Sequence, residues 1–347
     1  MGFRVGLAYN VKSEYVFKPG DPPDANAEFD NEDTVAVIEA ALRAGGHQVV
    51  RLGHVRQLLQ RLDDLKALDI VFNLAEGDKG RNRESQVPII LEMLRVPFVG
   101  ADGLSLGMTL DKIITKKLLI AEGIPTPRFA ELSDPEKAWQ VDLTYPLITK
   151  LRYEGSSKGI TSSSLVNTPQ ELKAQVQRLV ETYHESVLIE EFIEGQEFTV
   201  AVIGNDPPEP QPVVQIKLDG TLDLGRRFYT FAHIRSGADY VCPAPIPEAL
   251  REELQALALR TYQAVESRDF GRVDFRVDRA GRPSVLEINP LPSLSTEDVF
   301  MYVAKVQGKT YAQVINRILD AALIRCGLKS KEEVLVPSTV RSPSRTI

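Results

Sequence analysis

The chain is poor in the residues that build covalent or metal-held scaffolds. Its 347 residues include two cysteines, Cys242 and Cys326, and four scattered histidines. That excludes a disulfide framework, and no Cys/His cluster suggests zinc. No apolar run approaches the roughly 18 residues a membrane helix needs. Residues 1–11 lack the long apolar core of a signal peptide. A basic excess is also missing. The 41 Lys and Arg against 48 Asp and Glu leave a formal charge of −7, which argues against a general nucleic-acid binder. With 43% hydrophobic and 26% charged residues, the composition is neither disordered nor collagen-like. What is left is a soluble, cytoplasmic chain without membrane or nucleic-acid partners, long enough for about two to three domains.

The pattern of strands and helices divides the chain. Residues 3–9 read as a buried strand, and 18–26 (KPGDPPDAN) as a loop kept irregular by Pro and Gly. Val35, Ile38 and Leu42 have helical spacing, so a helix is expected over 34–44, closing on Gly45-Gly46. Strands at 49–50, 69–74 and 96–99 and a helix at 84–94 complete a small, mostly parallel α/β sheet within residues 1–100. A helix over 110–122 and a stiff connector, 124–127, follow. Strands at 146–150 and 160–166 then flank a Gly/Ser loop, before a helix at 169–182. Residues 101–185 thus form a second unit. Strands at 187–193 and 197–204 open a third, 186–327. It continues with a strand at 213–218, a long polar segment at 219–239 read as a loop, and a helix at 248–266. Strands at 271–278 and 284–289 pair through Arg279-Ala280-Gly281-Arg282. Helices at 296–306 and 311–326 close the fold, and 328–347 is expected to be a disordered tail.

Four stretches could carry chemistry. In the loop Glu154-Gly155-Ser156-Ser157-Lys158-Gly159, glycine lets backbone N–H groups approach an anion and serine adds donors, as in a phosphate lid; a flexible surface hairpin would look the same. Lys150 ends an apolar strand facing this loop, either to neutralise phosphates or as a solvated strand end. Period-2 alternation puts Arg272 and Asp274 on one face of their strand, and Glu287 and Asn289 on one face of its hairpin partner. Should the two faces coincide, hard oxygen ligands suited to Mg²⁺ meet a guanidinium suited to developing negative charge; otherwise they form an outward polar face. Lastly, Glu190-Glu191-Phe192-Ile193 could read an adenine edge through exposed backbone groups, with Glu197 accepting from ribose hydroxyls. An acidic edge strand is the alternative.

Taken in order, Lys112, Lys150, EGSSKG, EEFI with Glu197, GRVD and LEIN make residues 1–325 resemble the ATP-grasp enzymes, and most closely the D-alanine–D-alanine ligase family. The resemblance implies an α/β fold with an N-terminal parallel domain and two α+β subdomains that sandwich ATP. It implies phosphate contacts from Lys112, Lys150, Ser156, Ser157 and Gly159, and nucleotide contacts from Glu190, Glu191, Phe192, Ile193, Glu197 and Leu286. Mg²⁺ or Mn²⁺ would sit on Asp274, Glu287 and Asn289. Arg272, Ser156 and Ser293 would be catalytic, with Arg272 facing the oxyanion. The implied reaction joins a small-molecule carboxylate to an amine, amino acids in the family, through an acyl phosphate; a homodimer or a non-catalytic nucleotide binder is compatible with the same pattern.

Where substrates bind, the chain departs from the family. The His-Gly segment is replaced by Leu74-Ala75-Glu76-Gly77, followed by Lys79, Arg81 and Arg83, which could hold an acidic group. The glutamate for the first substrate's amino group has approximate counterparts in Glu28 and Glu14. The family's Ser-Leu pair, which receives the second substrate's carboxylate, falls on Asp298-Val299, where a negative charge would repel a carboxylate. In another reading Ser295 is a helix N-cap with Asp298 at N3. An acceptor other than D-alanine is therefore expected alongside the default family dipeptide.

Overall fold

Strand β1 (Arg4–Tyr9) begins a parallel sheet with β2 (Gln48–Gly53), β3 (Ile70–Leu74) and β4 (Phe98–Val99), in the order β2-β1-β3-β4. The computed structural model describes residues 2–236 and 239–331. Parallel strands must be covered on both faces, which is why β3 is buried throughout. Helix α1 (Glu32–Ala44) buries Val35, Ile38 and Leu42 on one side. Two short helices absent from the sequence reading, α2 (Val55–Leu59) and α3 (Leu62–Leu65), join α4 (Gln86–Leu94) on the other.

The helix expected over 110–122 is divided. Helix α5 (Gly103–Leu110) ends at Asp111, which is extended (φ −83°, ψ 92°), and α6 (Lys112–Ala121) starts immediately after it. The Asp111 carboxylate accepts from the N–H groups of Ile113 and Ile114, each at 3.2 Å, and so caps α6. Lys112 becomes the first helical residue.

The second sheet is antiparallel, in the order β5-β8-β6-β7, built from β5 (Phe129–Leu132), β6 (Leu147–Leu151), β7 (Leu165–Val166) and β8 (Val187–Glu191). Helix α7 (Pro169–Tyr183) covers it with Leu172, Val176 and Leu179. The strand expected over 160–166 shrinks to β7 because Ser162–Ser164 form a 3-10 turn.

The third sheet contains β9 (Gly195–Ile203), β10 (Glu209–Pro210), β11 (Val214–Lys217), β12 (Asp239–Val241), β13 (Phe270–Asp278) and β14 (Pro283–Asn289), ordered β12-β11-β9-β13-β14 with β10 also on β9. The segment expected as a loop at 219–239 carries α8 (Phe231–Ser236). It is also tied down: Phe231 N–H donates to Ile160 (3.2 Å), and Arg276 donates to the carbonyls of Gly225 (3.0 Å) and Arg227 (3.1 Å). Helix α9 (Glu248–Ala264) packs Leu254 and Ala258 on this sheet. Helices α10 (Val299–Val306) and α11 (Tyr311–Arg325) bridge it to the first sheet, with the Phe270 ring lying between Phe72 and Phe300. Buried Asp269 locks that junction, accepting from Gly100 N–H (2.8 Å), Asn205 (2.8 Å) and Arg325 (2.9 and 2.7 Å). Of the expected tail, Leu328 and Lys329 stay bound to α11, their N–H groups donating to Leu323 at 2.8 and 3.2 Å, and Lys331 reaches the Asp206 carbonyl at 2.9 Å; residues 332–347 lie outside the described residues. Among the described residues no helix is long and apolar enough to cross a membrane.

Candidate active site

One cavity of about 420 Å³ opens between the second and third sheets and is closed at one end by loops of the first. Strands β13 and β14 form its floor. Their register pairs Arg272 with Asn289 and Asp274 with Glu287 directly across the ladder, so the two polar faces coincide. Beyond that pair the register shifts, because Phe275 pairs with Val285. The extra residue is Leu286. A bulge of this kind puts two consecutive residues on one face, and Leu286 and Glu287 both line the cavity while Val285 and Ile288 are core.

Three of the four are bonded to one another. Arg272 donates from Nε and Nη2 to the two oxygens of Asp274, both at 3.0 Å, and Asn289 Nδ2 donates to Asp274 Oδ2 at 3.0 Å. Arg272 Nη1 lies 3.8 Å from Asp298. Burial would raise the Glu287 carboxyl, but Lys112 (3.6 Å) and Lys150 outweigh that and hold it below its ordinary range. Among the described residues no group of three or more His, Cys, Asp and Glu is arranged to hold a metal. The set here is two carboxylates and an amide on adjacent strands. Such hard oxygen donors fit a divalent cation whose remaining positions are filled by phosphate oxygens and water.

Facing this floor, Lys150 on β6 and Lys116 on α6 share one carboxylate, that of Glu190 on β8. Lys150 Nζ is 2.7 Å from Glu190 Oε2, Lys116 pairs with Oε1, and Lys116 also donates to Thr126 at 2.6 Å. All three side chains are shielded from water. Burial alone would raise the Glu190 carboxyl; the two ammoniums outweigh it and hold it at about 2. Lys150 is kept above its ordinary value by the carboxylates of Glu190 and Glu287 against its burial, whereas burial wins at Lys116 and lowers it. Lys116 was not singled out in the sequence, although it lies one helical turn from Lys112 and so on the same face.

The expected role of the Glu190–Ile193 segment needs revision. Strand β8 is central rather than an edge: Glu190 is paired on both sides, Glu191 N–H donates to Arg128 and Phe192 N–H to Pro146. The N–H groups of Glu191 and Phe192 are therefore unavailable to a ligand. The Glu191 carboxylate bonds to Arg128 and Thr144 N–H, both at 2.9 Å. Glu197 lines the cavity but pairs with Arg276 (3.2 Å), whose guanidinium stacks 4.6 Å from the centre of the Phe192 ring.

In the Gly/Ser loop, Ser156 and Ser157 both adopt left-handed backbone (φ 46° and 52°), a conformation costly for residues with a Cβ. Neither N–H has a partner among the described residues, whereas those of Gly155, Lys158, Gly159 and Ile160 are all bonded. Gly159 is thus no phosphate contact. Its N–H donates to Asp24 (2.9 Å), it lies outside the cavity, and a Cβ there would press on Leu179 and Leu151. Lys112 steadies the loop by donating to the Glu154 carbonyl at 2.6 Å.

At the substrate end several expectations fail. Glu28 does not offer its carboxylate to an amino group: it accepts from Arg83 (2.5 Å) and Gly155 N–H (2.6 Å) and pins the loop. Glu14 lies outside the cavity, beside Gln57 and His54. Lys79, Arg81 and Arg83 do not line it either; Arg81 turns to Asp111 (3.2 Å) and Arg83 to Glu28. Asp298 caps α10 as its N-cap, accepting from Val299 N–H at 2.7 Å, not from the N3 position. Ser293 lines the cavity and is exposed, its hydroxyl accepting from Ser295 N–H (3.2 Å). Three further carboxylates, Asp30, Glu76 and Glu84, face the same space.

Residues 118–320 match the family described as the C-terminus of D-ala D-ala ligase. The uncharacterized protein y4sG of Sinorhizobium fredii is 36% identical over 293 residues, covering 82% of this chain and 86% of that protein. The D-alanine–D-alanine ligase of Moorella thermoacetica is 30% identical over 297 residues, covering 83% and 93%. The crystal structure of the Bacillus anthracis D-alanine–D-alanine ligase complexed with ATP superimposes with a TM-score of 0.71 at 22% identity, covering 94% of this chain and 99% of that one. Shared architecture and sequence lead to one conclusion: the chain belongs to the D-alanine–D-alanine ligase family and has its ATP-grasp fold.

Proposed function

We infer that the protein is an ATP-dependent ligase that joins the carboxylate of one small molecule to the amine of another, amino acids being the expected class. The observation that carries this reading is the cross-strand quartet Arg272, Asp274, Glu287 and Asn289 facing Lys112 and Lys150 across one cavity. Nucleotide phosphates would meet Lys112, Lys150 and the unpartnered N–H groups of Ser156 and Ser157, with the base beside Phe192, Ile193 and Leu286. Mg²⁺ or Mn²⁺ would be held by Asp274, Glu287 and Asn289, and when bound it neutralises phosphate charge.

A substrate carboxylate oxygen attacks the γ-phosphorus and ADP departs. The amine nitrogen of the second substrate then attacks the acyl carbon, loses a proton, and inorganic phosphate leaves. Arg272 is placed to stabilise the oxyanion of that second step, with Ser293 N–H as a further donor. Arg272 gives Nε and Nη2 to Asp274, which leaves its remaining N–H groups for substrate. The same reading divides the chain into residues 1–100, 101–185 and 186–327, and places the enzyme in the cytoplasm.

The test is ADP release from Mg·ATP measured with and without a pool of amino acids. Release that requires the amino acids supports the ligase. Nucleotide binding without release under any mixture would make this a non-catalytic relative.

A further inference from the structure

The substrate end of the cavity carries three carboxyl groups without a partner among the described residues. Asp30 comes from the loop before α1, Glu76 from the turn after β3, and Glu84 from the approach to α4. None of their carboxylates makes a hydrogen bond or ion pair with the described residues, unlike Glu28 and Glu154, which are matched by Arg83 and Lys158. The three are neighbours. Burial pushes the Glu76 carboxyl well above its usual range, and repulsion from Glu84, Glu28 and Asp30 adds to it. Burial also pushes Glu84 and Asp30 up to about 7, with Arg83 and Lys12 respectively opposing.

Lys12 is the cation here that has no carboxylate within ion-pair distance among the described residues. Arg272 is committed to Asp274, and Arg83 to Glu28. An ammonium ligand would draw off their protons, and, fully ionised, three unpartnered carboxylates against one open ammonium leave two negative charges for it to balance. Around the corner, Asp298 adds its carboxylate, and the hydroxyls of Tyr229 and Tyr240 line the cavity without a hydrogen-bond partner among the described residues. Neutral phenol oxygens and aromatic faces both suit an ammonium group. A monoamino acid would bring one positive charge and a carboxylate that Asp298 repels.

Resting on the ligase reading above, we propose that Asp30, Glu76 and Glu84 form an ammonium subsite, and that one substrate carries two ammonium groups, as a diamino acid does. The amine to be joined must shed one proton, and the second ammonium stays seated among the three carboxylates. Glu76 and Glu84 are specificity-determining residues, outside the nucleotide and metal machinery.

The full chain with Mg·ATP is offered alanine, serine and aspartate against ornithine, lysine and 2,4-diaminobutyrate, each in both hands, with phosphate release as readout. A diamino acid should exceed every monoamino acid in kcat/KM by about tenfold or more. Glu76→Gln and Glu84→Gln should raise its KM by a similar factor and shrink the preference for it. Both variants are near-isosteric and relieve like-charge repulsion, so a thermal melt at or above that of the parent shows that they fold. If alanine alone gives the highest kcat/KM and the Gln variants leave every KM unchanged, the subsite is overturned while the ligase stands. If no compound supports phosphate release, the ligase reading falls. Calorimetry of the six compounds then decides the subsite separately: diamino acids bound more tightly by the parent than by the double variant support it, and equal binding overturns it.

Discussion

A single carboxylate, Glu190, decides whether two lysines can exist inside the cavity wall. Removing one partner of a buried charge network leaves the others uncompensated. Glu190→Gln should therefore cost about 3–5 kcal/mol in denaturant unfolding and weaken ATP binding by about tenfold or more. The sign with pH follows from its depressed pKa. The stabilisation is present above the unfolded value near 4.5 and is lost as pH falls towards about 2. Asp30 and Glu84 act oppositely. Their folded values, about 7, exceed the unfolded ones near 4, so the folded state holds more protons between these limits. Ligand-free protein should lose stability as pH rises from about 4 to 7, and Glu84→Gln should flatten that slope. A slope unchanged in this variant would show that Glu84 titrates normally. Much of this was hidden in the sequence. Period-2 spacing exposed the Arg272–Asn289 quartet, but Glu190 read as part of an edge strand because β5, which covers it, lies some way upstream and carries no motif of its own.

Secondary-structure elements aim these residues. Asp111 ends α5, caps α6 and anchors Arg152 through two bonds of 2.8 and 2.6 Å. Without it Lys112 would not begin a helix pointing at the Gly/Ser loop. Asp111→Ala removes a cap and leaves the Arg152 fork without its carboxylate, so about 2 kcal/mol or more of stability should go. Asp111→Asn keeps the capping oxygen and should lose less. An Ala variant as stable and as active as the parent would show that α5 and α6 run on as one helix. The break was legible in principle, since Asp before an apolar helical run is a start signal, yet unbroken apolar spacing on both sides masks it. The bulge at Leu286 has no such signature: LEIN alternates like any strand, and only the pairing with β13 shows that one residue is extra.

At the scale of the molecule, the parallel sheet and most strands and helices follow from periodicity, because long amphipathic segments leave few ways to bury their apolar faces, whereas the two further sheets were implied only by the family resemblance. The substrate end does not follow. It is assembled from loops of the first sheet and the start of α10, whose side chains can turn either way. Arg83 turned inward to Glu28 and half-exposed Arg81 to Asp111, and the acidic residues were left facing the cavity. Closure of three sheets around one cavity also predicts strong linkage. Saturation with Mg·ATP at about 100 times its Kd should add about 2.7 kcal/mol to the unfolding free energy, with a matching rise in melting temperature. The most direct test of the ligase reading is to trap its intermediate. With Mg·ATP, the amino-acid pool and hydroxylamine, the account predicts an aminoacyl hydroxamate that together with the joined product equals the ADP formed, and that is lost in Lys150→Ala. ADP formation that is independent of the amino acids and yields no hydroxamate would contradict it.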